Sequence, residues 1–199
     1  MKKALSIIIF ALFVEFLPAQ VIMHMTVPLG SCVIIANDYY DLSDETRCWD
    51  PYYPEDGVLE LDFLQQNRAS YYFKVEKTGC KSIIGCFEVM LNSSFRIELP
   101  KGNKDEVLDS EAMLREGYKL WNDGFASKSR LRKAHKLMLK AARLGNVHAM
   151  CSLADSFFQG MGCAKNDKKA IYWYSTAEQF GSIHGTNGIS GVKRYNGWR

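Results

Sequence analysis

Only four histidines occur in the 199 residues, and none sits in a motif with a candidate nucleophile. The chain has no H-E-x-x-H, no G-x-S-x-G, no phosphate-cradling glycine loop and no C-x-x-C. Zinc hydrolysis, serine-hydrolase chemistry, nucleotide binding and thioredoxin-like redox chemistry therefore have no foothold. The apolar run Ala4–Val14 has eleven residues, short of the roughly 20 that span a bilayer. Charges scattered beyond residue 15 exclude a multi-pass membrane protein. What is present is ordinary for a folded chain: 47% hydrophobic, 13% aromatic and 24% charged residues, with a net charge of +3, which excludes disorder.

The amino terminus bears on the compartment. Lys2 and Lys3 form a short positive region, the apolar run follows, and Pro18-Ala19 precede Gln20 like a small-residue cleavage site. This layout predicts a secretory signal peptide over 1–19, cut after Ala19, of a bacterial kind. An uncleaved anchor from Ala4 to Met25 would place Glu15 and Pro18 near its centre. No cysteine lies near the cut, so a lipid anchor is not indicated. The expected location is the periplasm or the medium, with no stable membrane anchor.

The remaining chain divides by charge. Residues 20–105 carry 8 basic and 13 acidic side chains, whereas 106–199 carry 15 and 8; such asymmetry suggests two modules. In the first, Ser31–Ala36, Val58–Phe63, Ser70–Glu76, Ser82–Met90 and Phe95–Leu99 are short and rich in β-branched or aromatic residues, and VLELDF alternates as a half-buried strand does. A small antiparallel β-rich domain over 20–100 is expected, followed by a linker over 101–109. In the second, Ser110–Asn122, Lys128–Leu144, Val147–Phe158 and Asp167–Phe180 show helical spacing, punctuated by glycines.

Those glycines are periodic. Gly124/Gly160, Lys133/Lys169, Ala134/Ala170, Ala141/Ala177, Gly145/Gly181 and His148/His184 are each 36 residues apart, the period of a helix–turn–helix solenoid. The run Leu153-Ala-Asp-Ser-Phe157-Phe-Gln-Gly160-Met-Gly162-Cys163, with Lys169-Ala170, Trp173-Tyr174, Ala177 and Gly181, resembles a Sel-1-like repeat, a relative of the tetratricopeptide repeats. Departures are Ala154, Phe157, Cys163, Asn166 and Glu178. The preceding unit is degenerate, and Asn187–Trp198 is expected as a capping helix. The resemblance covers roughly 110–195 and implies an α-solenoid of about two repeats over 110–199. With the β-rich amino-terminal domain read from strand periodicity, the expected fold class is α+β.

The cysteines read as staples. Cys80 with Cys86, Cys32 with Cys48, and Cys151 with Cys163 form one of many pairings that six cysteines allow. Cys163 also reads as a buried thiol replacing a packing valine. Neither the acidic loop Asp38–Glu45, which lacks an EF-hand's glycine and terminal glutamate, nor His148 with His184 makes a convincing metal site. No cofactor is expected.

The loudest charge signal is basic: Arg132, Lys136, Lys140 and Arg143 fall within about 80° on one helix face, opposite Leu131, Ala134, Met138 and Ala141. A solvated face and a binding patch both fit. The resemblance implies that the first helix of each repeat lines a concave groove, which adds Arg115, Lys119, Asp155 and Phe158 as partner-binding candidates. It also implies protein–protein recognition; catalysis has no motif to support it, and nucleic acid does not fit a secreted chain with disulfides. Exported proteins of this kind include periplasmic immunity proteins that neutralise type VI secretion toxins, notably lipase effectors, so a cognate toxin is the expected partner. The alternative is an envelope or secreted adaptor. Cysteine-rich relatives linked with β-lactam hydrolysis carry cysteines once per repeat, whereas here Cys151 aligns with Arg115 and Cys163 with Ser127.

Overall fold

The computed structural model describes residues 21–43, 46–49, 51–63, 70–90, 92–123 and 127–197. The expected signal peptide, Gly124, and Asp44 and Glu45 of the acidic loop lie outside them. Strands β1 (Val21–Thr26), β2 (Cys32–Ala36), β3 (Val58–Phe63), β4 (Ser70–Glu76), β5 (Ser82–Glu88), β6 (Ser93–Arg96) and β7 (Val107–Asp109) form two sheets, ordered β3-β1-β6 and β2-β4-β5-β7. Helices α1 (Ser110–Trp121), α2 (Lys128–Arg143), α3 (Val147–Gln159), α4 (Asp167–Gln179) and α5 (Ile183–Tyr195) follow. The fold is α+β, a β-rich amino-terminal half leading into helical repeats.

Alternation builds the β half. Leu59, Leu61 and Phe63 of β3 are buried while Val58, Glu60 and Asp62 face water. Tyr71, Phe73 and Val75 of β4 and Met23 and Met25 of β1 are fully buried. Phe63 and Tyr71 meet at 4.8 Å between ring centroids, and Phe87 touches Phe63, Tyr71, Phe73 and Phe95. Such aromatic pairs add about 0.5–1.5 kcal/mol each beyond their area. The sheets are not wholly antiparallel as expected: β6 lies parallel to β1, and β7 parallel to β5. Both pairs join strands far apart in the chain, the connection that parallel pairing needs.

The stretch 101–109, expected as a linker, is laced to the start of β5. Lys81 N–H donates to Pro100 O at 2.7 Å, Ser82 Oγ to Lys104 O at 2.5 Å, and Lys81 Nζ reaches Glu106 at 2.5 Å. Its glycine and polar residues, with Pro100 before them, form tight turns whose backbone groups find partners on the sheet. The last three residues are β7.

The six cysteines are held as thiols, which corrects the expected disulfides. Cys80 and Cys86 are six residues apart along extended chain, about 20 Å, far beyond a disulfide's Cα separation of at most about 7 Å. Cys48 donates to Asp41 O while neighbouring Trp49 bonds Ile35, at the opposite end of β2 from Cys32. Cys151 faces Ser182 at 3.6 Å, whereas Cys163 lies against Ser156, more than a helical turn along α3.

Each helix begins on a side-chain cap: Asp109, Ser127, Asn146, Asn166 and Ser182 accept from Ala112, Arg130, Ala149, Lys169 and Gly185 N–H. The terminal helix begins at Ile183, one turn earlier than expected, because Ser182 supplies its cap. The repeat period reappears in burial: Ser110, Asn146 and Ser182, 36 residues apart, are all 0% exposed. Asn146 Nδ2 donates to Ser110 Oγ at 3.3 Å and to Glu111 Oε2 at 3.1 Å.

These repeat starts dock on one strand. Ile84 of β5 pairs with Asp109, Cys86 N–H donates to Gly145 O at 3.2 Å, and Glu88 N–H donates to Phe180 O at 2.9 Å. Alternate residues of a strand point their N–H groups to the same side, so the free edge of β5 receives the starts of α1, α3 and α5 in turn. Gly145 has φ +84°, and a Cβ there would lie 2.9 Å from Ile97 Cδ1, so only glycine allows this approach. Phe180 stacks on Phe95 at 4.0 Å between centroids. One hydrophobic core therefore runs from the sheets through the helices.

Candidate partner-binding surface

The first helices of the repeats, α1, α3 and α5, spend most of their expected binding residues on internal contacts. Arg115 on α1 donates from Nε to Glu111 Oε1 at 3.0 Å and from Nη1 to Tyr40 Oη at 2.5 Å, with Tyr39 and Tyr40 rings 4.7 and 5.0 Å from its guanidinium. It clamps the 3-10 turn Tyr39–Ser43 to α1. Tyr39 donates to Asp109, the cap of α1, and burial with this carboxylate pushes its phenol up to about 12. Asp155 on α3 accepts from Tyr174 Oη, and His184 Nε2 lies 3.7 Å away. Phe158 meets Tyr195 edge-on at 5.3 Å, with Lys165 over both rings. Lys119 is exposed, but these four residues do not form one site.

The basic stripe is different. Arg132, Lys136, Lys140 and Arg143 are all exposed on α2, while Ala134, Met138, Ala141 and Ala142 are buried beneath. The same helix carries Arg130, paired with Asp123, and Lys133, 3.1 Å from Glu116. Among the described residues, the four stripe cations have no acidic partner. A cleft lies at each end of the stripe. One, about 290 Å³, contains Arg143 with Arg96 and Glu98 from the β half and Tyr172, Trp173 and Thr176 from α4, over Met150 and Phe180. The other, about 480 Å³, contains Lys128 and Arg132 with Leu131, Gly160, Gly162 and Cys163.

Sequence reasoning found the stripe but not the first cleft. Arg96 read only as part of the expected strand Phe95–Leu99, and Trp173 only as part of the repeat pattern. Tyr172, 62% exposed beside Trp173, was the available signal.

Among the described residues the titratable groups do not assemble a reactive centre. Burial raises the thiols of Cys86 and Cys151, the latter to about 12, keeping both protonated and inert at neutral pH. His135 Nδ1 lies 2.6 Å from Ser156 Oγ, which also donates to Met161 O at 2.7 Å; Cys163 donates to Ser156 O. These bonds close the α3–α4 turn and satisfy one another. His148 and His184, the repeat-equivalent pair, each face a separate carboxylate, Glu88 at 3.5 Å and Asp155. No group of three or more metal-binding side chains converges among the described residues.

The geometry defines a short helical-hairpin solenoid seated on a β half. Residues 111–146 and 147–179 match the Sel1 repeat, so the carboxy-terminal half carries two Sel1 repeats. Each matched unit is one hairpin, α1 with α2 and α3 with α4. No curated protein and no solved structure matches the chain. Sel1 repeats are protein–protein interaction modules, and this half is an interaction scaffold; no described helix is long and apolar enough to cross a membrane.

Proposed function

We infer that the chain is an exported bacterial binding protein without catalysis, acting as a periplasmic immunity protein. Its partner is a type VI secretion toxin, such as a lipase effector, held so that the toxin's active site or membrane approach is blocked. The observation that carries the binding role is the exposed stripe of four cations that have no acidic partner among the described residues, on a Sel1 repeat with a cleft at either end. The positive start, apolar run and Pro18-Ala19 of the amino terminus support export. The resemblance to exported Sel1-like immunity proteins, and the scarcity of enzyme signatures, support the inhibitory role.

The test begins with the gene beside this one. If it encodes a secreted toxin, the purified chain forms a stoichiometric complex with it and suppresses its activity, and a strain deleted for this gene is killed by sister cells. A toxin left fully active in the presence of the chain contradicts the reading. A stable complex with another envelope protein, and no self-intoxication on deletion, moves the assignment to an adaptor.

A further inference from the structure

The geometry points to an acidic segment of a protein partner as the occupant of the α2 face. The segment lies extended along the stripe and places an aromatic or aliphatic side chain in the cleft beside Arg143. This inference deepens the binding role proposed above and names the chemistry that the partner presents.

Three observations converge on it. First, the cations divide by task. Arg130 and Lys133 of α2 are consumed by Asp123 and Glu116, whereas Arg132, Lys136, Lys140 and Arg143 face water with no acidic partner among the described residues. Second, the stripe ends in concavities. From Arg132 to Arg143 the helix rises about 16 Å, the span of about five extended residues. The cleft near Arg132 adds Lys128, and the cleft near Arg143 adds Arg96, contributed by β6 of the other half. One carboxylate, Glu98, shares the second cleft, so its lining is basic but not exclusively so. Third, that cleft is lined by the buried Phe180 and Met150 and by an aromatic pair, exposed Tyr172 and half-buried Trp173. Aromatic and arginine side chains around a small apolar recess are the composition of an interface hot spot. A row of basic groups steers an acidic partner and sets its orientation.

The selection between occupants follows from the same geometry. A partner presenting only charge would use the stripe and leave the recess unfilled. An apolar partner would have to desolvate Arg96 and Arg143 with only the one carboxylate of Glu98 in the cleft to offset two cations. A segment with acids along its length and one apolar anchor satisfies both.

The experiment is fluorescence anisotropy with the purified full chain and a fluorescein-labelled peptide, Asp-Glu-Asp-Glu-Phe-Asp. Controls are the same peptide with Ala for Phe, and its Lys-for-acid counterpart. The acidic peptide binds, and the Ala version binds about fivefold more weakly. Added salt weakens binding, and the basic peptide does not bind. The double variant Lys140→Glu/Arg143→Glu weakens binding by about tenfold or more. Thr176→Trp, which fills the recess without changing charge, abolishes the advantage of Phe over Ala. Glu98→Gln tightens the complex. Circular dichroism and melting temperature establish that each variant is folded; all four sites are at the surface.

Equal binding of acidic and basic peptides, or an affinity indifferent to the charge reversal, overturns the inference. So does tighter charge-dependent binding to phosphatidylglycerol vesicles or to duplex DNA than to the peptide. The two proposals fail separately. A toxin complex that survives Lys140→Glu/Arg143→Glu refutes the groove and leaves the inhibitor role standing. A peptide-binding groove in a chain that protects against no toxin refutes the inhibitor role and leaves the groove.

Discussion

At the scale of single residues, polar groups brought inside the repeats decide pH dependence and tolerance to substitution. His135 of α2 is half-buried against Ser156 and Phe157 of α3, and burial first, Lys169 second, hold its imidazole below the ordinary value near 6.5. As pH falls through that value the unfolded chain takes up a proton that the folded chain refuses. Stability attributable to this residue is therefore intact above pH 6.5, falls below it, and is fully lost beneath the depressed value. His135→Gln should flatten the acid limb of a urea-midpoint profile measured from pH 7.5 to 5, and Lys169→Met should flatten it partly. Glycines of α5 give a sharper contrast. A Cβ on Gly191 meets nothing within 4 Å, so Gly191→Ala should raise stability by about 0.5–1 kcal/mol through helix propensity. A Cβ on Gly188 runs into the Tyr174 ring, and Gly188→Ala should cost about 1–3 kcal/mol. Thermal melts of the two variants should move in opposite directions.

At the scale of elements, the period of 36 is written in the caps as much as in the glycines. Asn146 caps α3 through Oδ1, gives Nδ2 to Ser110 and Glu111 at the start of α1, and bridges to Cys86 of β5. Asn146→Ala removes a cap worth about 1 kcal/mol and leaves a buried carboxylate short of a donor, a combined cost of about 2–4 kcal/mol. Asn146→Asp keeps the cap acceptor but sets a second carboxylate beside Glu111, so it should destabilise as much and worsen as pH rises above 5. Denaturant titration of the three proteins at pH 5 and 7.5 checks the order.

The elements themselves were unequally legible. VLELDF and SYYFKVE alternate cleanly, and β3 and β4 occupy the expected bounds. VIMHMT carries two methionines and a histidine where β-branched residues usually mark a strand, and β1 went unrecognised. The segment at 93–96 was placed two residues late, since Ser93 and Ser94 look like turn residues. Gly185, Gly188 and Gly191 diluted the helical signal of α5, and its start went to Asn187 rather than the cap Ser182.

At the scale of the molecule, the contrast in charge and period between the halves was visible in the sequence, but their fusion was not. Cys86 meets Gly145, and Glu88 meets Phe180, across separations that no local pattern reports. The cleft holding Arg96 and Tyr172 exists only because of that docking. The cysteines misled for a related reason: spacing suggested closure, while the extended path of β5 carries Cys80 and Cys86 apart. The same docking gives the repeats a fixed base, so that the α2 face is presented as a preorganised surface rather than on a frayed hairpin pair.

That the β half and the repeats are one cooperative body is tested most directly by native-state hydrogen exchange of the full chain, read at the amides of Cys86 and Glu88. These two amides should exchange only through global unfolding, with the same free energy and denaturant dependence as the central amides of α3 and β4. Exchange of Cys86 and Glu88 through a low-energy opening, while α3 and β4 stay protected, would mean that the repeats lift off the strand and that the halves are separate modules.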